Sequence, residues 1–148
     1  MTSVPPLARG LGFAGLLPFV GGLIGLFFCT PAARSGVGFA LLAYGAVIVS
    51  FLGGIHWGLV MRSADDHVDT PAIAFQMVWG VSPSLLAWLA LLLPVRWGLL
   101  LAALSLLVCF AVDYRLYRQT GLAHWLGLRA QLTAVASLCC FIGAWLSP

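Results

Sequence analysis

The sequence predicts an all-α protein, an integral membrane bundle of five transmembrane helices. Three observations carry that reading. Of the 148 residues, 62% are hydrophobic and 7% charged, and the mean hydropathy is +1.07; a soluble domain is roughly 25% charged. The apolar residues fall into five long runs, and the charges fall between them. All the basic residues are arginines set singly at the ends of those runs, with no lysine or glutamate anywhere. A net charge of +3 distributed in this way reflects membrane topology and forms no nucleic-acid patch.

Span one covers about 11–29, after a lead-in holding Pro5-Pro6 and Arg9. It is an uncharged run of 19 residues, close to the ~20 needed to cross the hydrocarbon. That is longer than the ~7–15-residue core of a signal peptide, and Pro18 with Gly21-Gly22 suits a helix packed in the membrane. Span two, about 37–61, contains His56 as its one ionisable residue. The loop Arg62 to Thr70 holds Asp65, Asp66, His67 and Asp69 and reads as solvated, because it lacks the spaced ligands of a cation site. Pro71 at a first helical position, after Asp69-Thr70 as cap, opens span three, about 71–94. Pro83, about 12 residues into that span, removes a backbone hydrogen bond and predicts a kink near mid-bilayer. Span four, about 97–114, ends on Asp113, and Gly121 marks a helix stop before span five, about 129–146.

Five spans put the termini on opposite sides. Arg9, Arg62, Arg115, Arg118 and Arg129 share one face of the membrane, and Arg34 and Arg96 the other. The positive-inside rule then predicts a cytoplasmic N-terminus and an external C-terminus. Trp57, Trp97, Trp125 and Trp145 near span ends fit an interfacial belt.

Two features invite a functional reading. In span two, Ala46, Ser50, Gly54 and Gly58 recur every fourth residue and form a face almost bare of side chains. Such a face serves close helix approach, within the bundle or between copies. Second, His56, Gln76, Asp113 and Arg129, from four different spans, lie at a similar depth near the inner surface. An intramembrane charge is costly unless paired, so Asp113 is expected to pair with Arg129, tying span four to span five with His56 and Gln76 nearby. The cluster reads either as interhelical glue or as a site that handles a proton or a ligand.

Other chemistry finds little support. One intramembrane histidine is not a haem or metal ligand set. Cys29, Cys109, Cys139 and Cys140 lack metal-binding spacing and read as small buried hydrophobes. No GxSxG, HExxH or phosphate-cradling loop is present, so no enzyme, metal or cofactor is expected. Pro83 alone, without a matching interrupted span, is a weak transporter signal.

Tyr44-Gly-Ala-Val-Ile-Val-Ser-Phe-Leu-Gly-Gly-Ile-His-Trp-Gly58 resembles the signature of the transmembrane-protein-69-like family. Ser82-Pro83-Ser84-Leu85 with Ala87-Trp88, Asp113, Trp125 and Leu128-Arg129 are similar to its other motifs. The resemblance runs from about Gly12 to Trp145 and implies a polytopic membrane protein of the bacterial inner membrane, or of the mitochondrial inner membrane in a eukaryote, with no assigned activity. The expected role is a non-enzymatic structural or accessory component, alone as a homo-oligomer or within a larger membrane complex. The alternative is a small carrier or binder of a proton, a lipid or a quinone-like molecule at His56, Asp113 and Arg129. The expected surroundings are the lipid bilayer, with no nucleic acid.

Overall fold

A computed structural model describes residues 4–62 and 71–147. The described residues form helices: α1 (Pro6–Ala14), α2 (Leu17–Phe28), α3 (Pro31–Arg62), α4 (Pro71–Leu92), α5 (Val95–Gln119) and α6 (Leu126–Leu146), with a single 3₁₀ turn at Ala123–Trp125. The acidic loop holding Asp65, Asp66, His67 and Asp69, and its cap at Thr70, lies outside the described residues.

Five candidate spans follow, because α1 and α2 together make one crossing, Pro6–Phe28. The break between them has a local cause. Pro18 has no N–H for the carbonyl four residues back, and at the break the Tyr44 hydroxyl donates to the Gly15 carbonyl at 2.9 Å. A hydroxyl from α3 thus takes over part of the backbone bonding that lipid cannot supply.

The bundle is organised around α3, which packs against α2, α4, α5 and α6. Its buried positions include Gly38, Leu42, Gly45, Val49, Leu52 and His56, alternating steps of four and three. That alternation holds an angular position on the helix and makes a heptad seam. The interior it meets is built from small residues, among them Ala87, Ala90, Ala102, Ala103, Ala136 and Ala144. Large apolar side chains such as Leu17, Phe28, Phe51, Val78, Trp88 and Leu138 face outward. Small residues inside and bulky apolar ones outside is the distribution expected of helices packing in lipid, where close backbone approach supplies the cohesion.

The bare face expected along span two is only half realised. Ala46 is buried and Ser50 half-buried, whereas Gly54 and Gly58 are exposed, and a Cβ on either would meet nothing within 4 Å. Each step of four residues turns the helix by about 400°, a drift of about 40°. Three such steps carry Gly58 about 120° away from Ala46 and out of the bundle. The glycine that packs is the neighbour, Gly53. A Cβ there would come 2.5 Å from the Gly80 carbonyl oxygen and 3.2 Å from the Pro83 ring. Pro83 lies inside α4, fully buried, with its ring on the Gly53 backbone.

Helix ends also differ from the sequence expectation. Helix α5 continues to Gln119, so Asp113 sits within a helix, more than a turn from its end. The stop comes at Gly121, whose φ of +74° is a left-handed conformation suited to glycine. The Leu122 N–H bonds the Tyr117 carbonyl at 2.9 Å, closing a Schellman-type cap. This cap reverses the chain so that α6 returns antiparallel along α5.

Candidate functional site

That reversal brings Arg129, in the first turn of α6, alongside Asp113. The Arg129 Nε donates to Asp113 Oδ2 at 3.0 Å, and its Nη2 donates to the same oxygen. From the third helix, His56 Nε2 lies 3.1 Å from Asp113 Oδ1. His56 is 1% exposed, Asp113 2% and Arg129 11%. Where the carboxylate is ionised it only accepts hydrogen bonds, and the contact then takes the His56 tautomer with its proton on Nε2. One carboxylate therefore joins α3, α5 and α6, each oxygen serving one partner.

The Asp113–Arg129 pair expected from charge is present, and His56 completes it directly. Gln76 does not: it is half-buried on α4, and among the described residues no hydrogen bond links it to the other three. Beside α4 the adjoining position is occupied by Trp57, whose indole Nε1 donates to the Met77 carbonyl at 3.0 Å. His56 Nδ1 is buried without a hydrogen-bond partner.

Next to the triad lies a cavity of about 590 Å³ between the α1–α2 segment, α3, α5 and α6. Its walls are apolar, with Phe19, Ile48, Leu52, Leu106, Leu132 and Trp125 among them. Its polar lining residues are Arg129, Tyr117 and Thr133. Asp113 takes two of the five N–H donors of the Arg129 guanidinium, and Arg129 lines the cavity together with Tyr117. Thr133 is 4% exposed, and its Oγ1 has no hydrogen-bond partner. The cavity falls within the ~300–1,000 Å³ typical of small-molecule pockets.

The sequence expectation did not include Tyr117, Thr133 or the cavity. The signal for the first two was spacing. Tyr117 lies four residues after Asp113 on α5, and Thr133 four after Arg129 on α6. Residues so spaced share a helix face. The cavity itself had no such signal, because its outer wall depends on where α1 and α2 settle. No group of three or more histidine, cysteine, aspartate or glutamate side chains able to hold a metal occurs among the described residues.

Residues 4–145 match the model of a family described as "Protein of unknown function (DUF3429)". The chain belongs to this family. It is also 37% identical over 141 residues to Transmembrane protein 69 of Xenopus tropicalis, covering 92% of this chain and 53% of that one. The mouse Transmembrane protein 69 is 31% identical over 134 residues, with coverages of 89% and 53%. The chain thus spans about half the length of the curated relatives it matches. No solved structure matches it. Five apolar helices and these relatives make the family member a multi-pass membrane protein, and the match spans every element that builds the triad and the cavity.

Proposed function

We propose that the protein is a non-enzymatic binder of a small amphipathic molecule in the cytoplasmic membrane. One observation carries the reading: the apolar cavity that ends at Arg129, Tyr117 and Thr133. Asp113 gives both its oxygens to neighbouring side chains, so the triad acts as a clamp that holds three helices around the cavity and presents Arg129 to it.

The test is ligand retention. The protein extracted with its lipids into nanodiscs should release a bound small molecule detectable by native mass spectrometry. Ile48→Trp, which places an indole in the cavity, should abolish that species while leaving the size-exclusion profile unchanged. Equal retention by parent and variant would sink the reading.

The excess of arginines on the Arg9, Arg62, Arg115, Arg118 and Arg129 side supports a cytoplasmic N-terminus and puts the polar lining residues toward the cytoplasm. Alkaline phosphatase fused after residue 147 should then be active in a bacterial host, and an inactive fusion would reverse the orientation. In a eukaryotic cell the same rule would turn the N-terminus to the mitochondrial matrix.

A second reading, an accessory role through self-association or a larger complex, is favoured by the exposure of Gly54 and Gly58 with open space before them. Gly54→Leu should leave the monomer folded. If this face meets a second copy, the variant loses the cross-linked dimer seen with the parent; unchanged cross-linking removes the face from that role.

A further inference from the structure

Thr133 carries an anomaly that bears on what the cavity holds. A hydroxyl in a helix commonly bonds the carbonyl one turn back, and Ser137 on the same helix does so, donating to the Thr133 carbonyl at 2.7 Å. Thr133 does not, although its side chain is almost fully buried and the oxygen has no partner. A buried hydroxyl left unsatisfied is costly; Thr133 lines the cavity while its Oγ1 is itself covered, so a ligand would engage it through a turn about χ1 that exchanges hydroxyl and methyl, the two rotamers open to a helical threonine. One turn earlier on α6, Arg129 lines the same wall.

The charge balance narrows the ligand further. Arg129 and Asp113 cancel each other at hydrogen-bond distance, so the polar lining offers N–H and O–H donors without net positive charge. An anionic head would bring an uncompensated charge into an apolar, low-dielectric site, at a large desolvation cost. A neutral acceptor meets no such cost.

We infer that the cavity binds an apolar-tailed molecule whose head is a neutral carbonyl, accepting hydrogen bonds from Thr133 and Arg129. This rests on the binding role proposed above. The carbonyl has two chemical sources in a membrane: the ring of a quinone, or the ester of a neutral acylglycerol. Both present a planar acceptor oxygen on a hydrocarbon tail, which suits a cavity with apolar walls and few polar lining residues.

The experiment uses the full chain in nanodiscs, titrated separately with a decyl-substituted benzoquinone, monodecanoylglycerol and decyl phosphate, with occupancy read by native mass spectrometry. At least one carbonyl probe should bind about tenfold better than decyl phosphate, and which one does so distinguishes quinone from ester. Thr133→Val, nearly isosteric, should weaken that probe about fivefold, the equivalent of one neutral hydrogen bond, while Thr133→Ser restores it. If Thr133→Val does not fold, Thr133→Ala compared with Thr133→Ser makes the same measurement. Preference for decyl phosphate, or full binding by Thr133→Val, overturns the carbonyl assignment and leaves the cavity as a binding site. Failure of all three probes to bind, with Ile48→Trp indistinguishable from the parent, overturns the binding role itself.

Discussion

Asp113→Leu is expected to be the most damaging single substitution in the chain. It removes both ties of the triad at once, leaving the buried Arg129 cation without a counter-charge and the buried His56 without its acceptor. Breaking a buried ion pair by removing one partner costs about 3–5 kcal/mol, a large fraction of the ~5–15 kcal/mol that holds a typical domain folded. The measurement is unfolding in detergent micelles, followed by tryptophan fluorescence. Arg129→Met added to Asp113→Leu should recover much of the loss, because an apolar pair of similar volume often replaces a buried ion pair without penalty. Arg129→Met alone should fall between the two, since Asp113 keeps its contact with His56. If the double variant is no more stable than Asp113→Leu, the triad is not the clamp described, and the loss comes from packing around α5.

Gly53→Leu is the second large effect, and its control is one residue away. At Gly53 even a Cβ would stand 2.5 Å from the Gly80 carbonyl oxygen, and the remaining Leu carbons would press on Pro83. Backbone and a proline ring cannot yield as a flexible side chain does, so α3 and α4 must separate. Overpacking typically costs about 1–3 kcal/mol, and here the strain falls on the contact where the two helix backbones meet. Gly80→Leu should behave alike, because its Cβ would run into the Trp57 ring. Gly54→Leu, with nothing within 4 Å of its Cβ, should unfold within about 0.5 kcal/mol of the parent, as surface substitutions do. The test is the three unfolding midpoints under one condition. Similar midpoints for Gly53→Leu and Gly54→Leu would contradict the crossing described.

The contrast between Gly53 and Gly54 shows how much of this molecule could be read in advance. The five crossings were legible because hydrocarbon thickness and the cost of buried charge impose a pattern on any chain that spans a bilayer. The Asp113–Arg129 pair was legible for the same reason: a charge at that depth needs a partner, and the chain offers few. Depth along the membrane axis follows from counting residues at about 1.5 Å each, and it placed His56 level with Asp113.

Rotation about each helix axis was the coordinate that counting did not supply. Gln76 has a suitable depth and the wrong azimuth, so it stays outside the triad. The row Ala46, Ser50, Gly54 and Gly58 was a regular pattern in the sequence, yet it winds off the packing face, while the seam through Leu42, Gly45, Val49, Leu52 and His56 stays on it. Both rows are present in the same seventeen residues, Leu42 to Gly58, and choosing between them needs the partner helix.

The sequence by itself therefore determined the membrane class, the number of crossings and the need for a buried ion pair. Each of these is a property of one chain segment measured against a uniform solvent. Only the tertiary structure decided which glycine packs, that His56 binds Asp113 directly, and that a cavity ends at Arg129, Tyr117 and Thr133. These depend on the mutual rotation of α3, α5 and α6 and on the break that lets α1 and α2 cover them. In lipid the fit of small side chains sets those rotations, and fit is a property of pairs of surfaces.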